Sequence, residues 1–113
     1  MGPIRKTRNA IPERRQVGRR RVMWGSWIAH LDGTNAAKCQ TKDISVAGAR
    51  VHLSEQQAIP SSVYFLDLRN CLIYEAIVAW RNLPEVGLQF GKVYRFVEAP
   101  TSEIARVIKN ITL

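Results

Sequence analysis

The chain has 113 residues, 46% of them hydrophobic and 23% charged, with seven Gly and five Pro. That suffices for one domain around one core, and it excludes bulk disorder, collagen-like repeats and a second domain. The formal charge of +8 is lopsided: residues 1–21 hold eight Arg or Lys against Glu13 alone, and residues 22–113 are nearly neutral.

Residues 1–12 read as a flexible basic arm and residues 13–113 as the folded domain. Seven of the eight cations before residue 22 are Arg. Arg suits planar, bidentate contact with phosphate or with a guanine edge, so a nucleotide, a polyanion or an acidic surface is expected to meet this segment, with a solvated tail as the plain alternative. No apolar run nears the roughly 18 residues that span a bilayer, and no apolar leader follows Met1. The expectation is a cytoplasmic protein without membrane insertion.

From Val22 to Leu31 bulky residues fall on both faces of a long strand, and Asp32-Gly33 supplies the signal of a tight type I′ hairpin. A returning strand is expected over Asn35 to Lys42. The polar turn Asp43-Ile44-Ser45-Val46-Ala47-Gly48 then leads into a strand over Ala49 to Leu53, and residues 54–62, with Pro60, form a loop. Val63 to Leu68 alternates and Arg69-Asn70 turns the chain. In the strand from Cys71 to Arg81, Leu72, Tyr74, Ala76, Val78 and Trp80 share one face, which predicts that Trp80 is a core residue. Leu83-Pro84-Glu85 breaks it before a last strand over Val86 to Phe90. About six short strands at close spacing predict an all-β antiparallel barrel or sandwich.

The end of the chain changes period. Thr101 after Pro100 can cap a helix, Glu103 suits its first turn, and Ile104, Val107, Ile108 and Ile111 repeat at helical spacing, predicting one helix over about 101–111. Its apolar stripe is expected to plug one end of the barrel, although the same stripe could bind a partner helix.

Chemistry-bearing residues are sparse. Cys39 and Cys71 lie far apart and read as reduced, buried, small side chains; with His30 and His52 they lack the short spacing of a zinc site. There is no phosphate-cradling Gly-rich loop and no nucleophile elbow, and nothing pairs Ser45 with a base, so neither an enzyme nor a bound cofactor is expected. Two short motifs stand out: Arg15-Gln16-Val17-Gly18-Arg19, an RxxxR preceded by Arg14, and Asp43-Ile44-Ser45-Val46-Ala47-Gly48, a DxSxxG. Alone, each has a plain reading: a basic tail, and an Asx-type turn with Gly at positive φ.

In that order, with AIVAWRNLPEVGLQF behind them, the motifs resemble the PilZ domain family from about Glu13 to Phe90. The resemblance implies a six-stranded antiparallel β-barrel over about residues 20–98, an RxxxR loop over 14–21, and binding of the bacterial second messenger cyclic di-GMP. It assigns Arg15 and Arg19 to guanine and phosphate, Asp43 to the guanine edge, Ser45 to phosphate, and Gly48 to backbone geometry or a close ligand approach. Arg14, just before RxxxR, implies that the ligand binds as an intercalated dimer. The implied signal passes to a downstream effector protein through ordering of the N-terminal segment, in processes such as motility, polysaccharide synthesis or virulence. Two other classes remain: a degenerate adaptor that binds protein without nucleotide, which a broken motif would mark, and a small nucleic-acid-binding barrel. Against nucleic acid, the body lacks a basic stripe with interleaved aromatics.

Overall fold

In the computed structural model of the protein the described residues are 20–112. The RxxxR motif with Arg14, Arg15 and Arg19, and the arm before it, lie outside them. Among the described residues six strands follow one another: β1 Arg20–His30, β2 Ala37–Ile44, β3 Gly48–Leu53, β4 Ser62–Asp67, β5 Leu72–Asn82 and β6 Glu85–Arg95. They close in the order β1-β2-β3-β6-β5-β4, every neighbouring pair antiparallel. A short 3-10 turn, Phe96–Glu98, leads to the helix α1, Ser102–Ile111.

The interior is filled by alternate residues, among them Ile28, Ala37, Cys39, Val51, Val63, Phe65, Ala76, Val86 and Leu88, with Tyr74 and Phe90 stacked beside Phe65. Ser26 and Thr41 are also wholly buried, and they satisfy one another: the Thr41 hydroxyl donates to Ser26 Oγ at 2.8 Å, while Cys39 Sγ lies 3.3 Å from the same oxygen. Burial pushes the Cys39 thiol up to about 11, because the thiolate would be poorly solvated there. Cys71 is exposed, against the expectation of two buried thiols; it sits at φ 57° in the β4–β5 turn, which Asp67 holds by accepting the amides of Arg69 and Asn70.

Bulk on both faces of β1 has a structural cause. Ile28 points into the barrel, whereas Ala29, with Tyr64, Leu66 and Ile73 from the neighbouring strands, faces outward and is buried beneath Ile104 and Val107 of α1. The helix therefore packs along the outer wall over β1, β4 and β5 and does not plug an end. Its stripe has enough apolar partners on the wall to be buried there, and the turn at Phe96–Glu98 lays it down on that side. Thr101 caps it as the sequence predicts, its Oγ1 accepting the amide of Ile104 at 3.1 Å.

The Asp32-Gly33 turn is also different from the expectation. Gly33 alone of the two has positive φ, at 81°; its amide donates to His30 O and the His30 amide to Thr34 O, which makes a three-residue turn. Asp32 is occupied in accepting the Thr34 amide and hydroxyl, a side-chain turn that a type I′ hairpin would not need. Strand β2 begins later and ends later than expected, taking in Asp43 and Ile44, and β6 runs on past Phe90 to Arg95.

Two single-residue bulges decide which side chains reach the outer wall. In β2, Thr41 pairs with Val51 and Asp43 with Arg50, so Lys42 is the extra residue. In β5, Val78 pairs with Leu88 and Trp80 with Gly87, so Ala79 is the extra residue. Each bulge reverses the alternation beyond it. Asp43 and Trp80, both aligned by parity with inward residues, are thereby turned outward, and Trp80 is 44% exposed where the sequence predicts a core residue.

Candidate functional site

The two re-aimed side chains fall on one line. Arg21 pairs with Asp43, Asp43 with Arg50, Arg50 with Gly87 and Gly87 with Trp80, so a row of five residues crosses β1, β2, β3, β6 and β5 on the outer wall. Successive members of such a row stand roughly 5 Å apart, which is the reach of adjacent functional groups on a flat, bivalent ligand.

At its centre is an ion cluster. Arg50 Nε donates to Asp43 Oδ2 at 2.8 Å, and its NH1 donates to the Glu85 oxygens at 3.0 and 3.2 Å. The hydrogen bond to Asp43, then that to Glu85, holds the Arg50 guanidinium more firmly protonated than usual. The Asp43 side chain is only 8% exposed while Arg50 and Glu85 stand at 32% and 29%, so the carboxylate of the motif lies deep and its partners form the rim.

The DxSxxG turn is built by Ser45 and not by the Asx-type bond of the plain reading. Ser45 Oγ accepts the Ala47 amide at 3.1 Å, and the Ser45 amide donates to Gly48 O at 2.8 Å. Gly48 is needed for a close approach between strands: a Cβ there would meet the carbonyl oxygen of Leu88 at 2.1 Å. Positive φ does not account for it, since Gly33 is the glycine with positive φ among the described residues.

A groove of about 590 Å³ lies beside the cluster, lined by Arg21, Val22, Met23, Lys42, Arg50 and Glu85. A smaller hollow of about 180 Å³ on the other side is lined by Ser45, Gly48, Trp80 and Gly87 among others, again with Arg50 in its wall. Arg50 thus joins the two hollows. Another hollow of about 590 Å³, around Leu31, Tyr64, Glu75, Ile77 and Phe90, has no Lys or Arg and no DxSxxG residue in its lining among the described residues. An anion has no reason to settle there.

Asp43, Ser45 and Gly48 are therefore brought together by the β2–β3 turn, while Arg14, Arg15 and Arg19 lie outside the described residues. Arg20, the first described residue, pairs with Ile44 inside DxSxxG. Sequence reasoning missed Arg21, Lys42, Arg50, Glu85 and Trp80. Arg50 alone left a signal, as a charged residue at an alternating position in Gly48-Ala49-Arg50-Val51-His52-Leu53.

Barrel, flanking helix and outer-wall row define a small, closed six-stranded β-barrel domain. No protein-family model and no curated protein sequence matches the chain. Among solved structures it is similar to the crystal structure of the PilZ domain of CeSA from a cellulose-synthesizing bacterium, with a TM-score of 0.50 and 18% identity over 84% of this chain and 98% of that one. The fold is PilZ-like. Among the described residues no helix is long and apolar enough to cross a membrane.

Proposed function

We propose that this domain is a non-enzymatic receptor for cyclic di-GMP, in which RxxxR closes over a ligand seated on the row from Arg21 to Trp80. The observation that carries the reading is the pairing of Arg20 with Ile44, which sets the first described residue, next in sequence to RxxxR, beside the Asp43–Gly48 turn within a PilZ-like barrel. Each half of the site has chemistry for part of the ligand. Guanidinium groups donate in pairs to guanine O6 and N7 and to phosphate oxygens; a carboxylate at Asp43 accepts from guanine N1–H and its exocyclic amine; Ser45 has a hydroxyl for phosphate. The exposed indole of Trp80 adds a surface on which a purine can stack.

Ligand-driven ordering of the N-terminal segment would change the surface that a downstream effector protein meets, which is how a domain without catalytic groups passes on a signal. The four phosphate charges of an intercalated dimer give Arg14 a partner as well. Calorimetric titration with cyclic di-GMP tests the reading: saturable binding near two ligands per chain is expected, and no binding at high micromolar ligand would sink it. A nucleic-acid-binding barrel would instead bind an oligonucleotide with an affinity that collapses as salt is raised.

A further inference from the structure

We infer that Arg50 is a positioning residue, clamped between Glu85 and Asp43, and that this clamp orients the Asp43 carboxylate toward the edge of guanine and so sets base specificity. The inference rests on the receptor reading above.

Three observations carry it. The first is geometry. Arg50 meets Asp43 through Nε and Glu85 through NH1, so the two ends of one rigid guanidinium are held by carboxylates on different strands, β2 and β6. A donor held at Oδ2 constrains the plane of the carboxylate and hence the direction in which it can accept. The second is donor capacity. The Nε and NH1 donors of Arg50 are already taken by two carboxylates, so it has less to offer a phosphodiester than Arg21 and Lys42, which line the groove beside it. The third is depth. Asp43 is the buried member and Glu85 the rim member, so Glu85 can hold Arg50 without standing between Asp43 and a base.

The clamp makes a prediction whose sign differs from that of simple electrostatics. Removing a negative charge at Glu85 should tighten binding of an anionic dinucleotide if charge alone mattered. If Glu85 acts through Arg50, it should instead loosen the reading of guanine. The readout is the ratio of affinities for cyclic di-GMP and cyclic di-IMP, which differ by the exocyclic amine. The unmodified protein should prefer cyclic di-GMP by about tenfold or more, as one hydrogen bond to a charged group allows. Arg50→Lys keeps the charge but has one nitrogen, which cannot span both carboxylates, and should lower the ratio to about threefold or less. Glu85→Gln, the gentler change, should lower it in the same direction with the melting temperature of the free protein kept.

An undiminished ratio in both variants overturns the inference while leaving the receptor reading in place. So does tighter binding by Glu85→Gln with the ratio preserved, or an equal loss for both ligands. Failure of the unmodified protein to bind cyclic di-GMP removes the receptor reading, and this inference with it.

Discussion

The indole of Trp80 occupies the space in which any other residue at Gly87 would place its side chain: a Cβ there would meet Trp80 Nε1 at 2.1 Å and Cε2 at 2.2 Å. The two residues are cross-strand partners in β5 and β6, and the contact exists because the bulge at Ala79 turns Trp80 outward at the one position opposite a glycine. With one side against Gly87 and nearly half its surface open, the ring is presented as a platform and not packed as a core residue.

Trp80→Ala should weaken cyclic di-GMP binding by about tenfold, since stacking of one base on an aromatic ring is worth about 1–3 kcal/mol, while the free protein melts nearly unchanged. Gly87→Ala, which displaces the ring but retains it, should weaken binding less than Trp80→Ala. Titration of both variants checks the order; unaltered affinity in Trp80→Ala would end the site at Gly87.

Gly48→Ala should act on the fold before it acts on the ligand. The added methyl group meets the Leu88 carbonyl, a backbone atom that cannot swing away. Overpacking of this kind costs about 1–3 kcal/mol. Urea unfolding of the free protein should show the loss, and a variant as stable as the parent would mean that β3 and β6 separate there without penalty.

Arg15→Ala and Arg19→Ala should each lower cyclic di-GMP affinity more than about tenfold, the worth of a charge-assisted bond at roughly 1.5–3 kcal/mol, with little change in melting. Arg14→Leu should instead shift the stoichiometry from two ligands per chain toward one. Calorimetry reads both quantities in one titration; full affinity in the Arg15→Ala, Arg19→Ala double variant would remove RxxxR from the site.

Tyr94 should give the barrel an alkaline limit. Its hydroxyl donates to Glu75 Oε2 at 2.5 Å, and chiefly that bond pushes the phenol up to about 12. An acid whose folded pKa is raised stabilises the protein fully below its unfolded value, about 10 for tyrosine, and loses that stabilisation as pH rises toward the folded value. The denaturation midpoint of the parent should therefore exceed that of Tyr94→Phe by a constant margin below pH 9, and the margin should shrink between pH 10 and 12. A margin that persists at pH 12 would show that packing, not the hydroxyl, separates them.

Strand count, strand order along the chain and the capped helix were legible because each depends on local pattern: alternation, a turn residue, or the spacing of Ile104, Val107, Ile108 and Ile111. The positions of Asp43 and Trp80 were not. A bulge leaves no mark in a string of hydrophobic and polar letters, yet one extra residue inverts the face of everything after it, which is why parity placed Trp80 in the core. Glu85 was illegible for another reason: its partner Arg50 is distant in sequence, and only the pairing of β3 with β6 brings them together. The motif residues were found as a pattern, but the physical need for Gly48 came from Leu88, on a strand the motif does not contain.

The row from Arg21 to Trp80 draws one residue from each of five strands that are consecutive around the barrel, so no single hairpin contains it. Occupancy is consequently a gauge of the pairing of those five strands. A ligand spanning the row would recognise only chains in which those five strands are paired in register and would favour them by mass action, by about 2.7 kcal/mol at one hundred times the dissociation constant. A register error in β1, β2, β3, β5 or β6, however far from the ligand, would erase the address at which it docks.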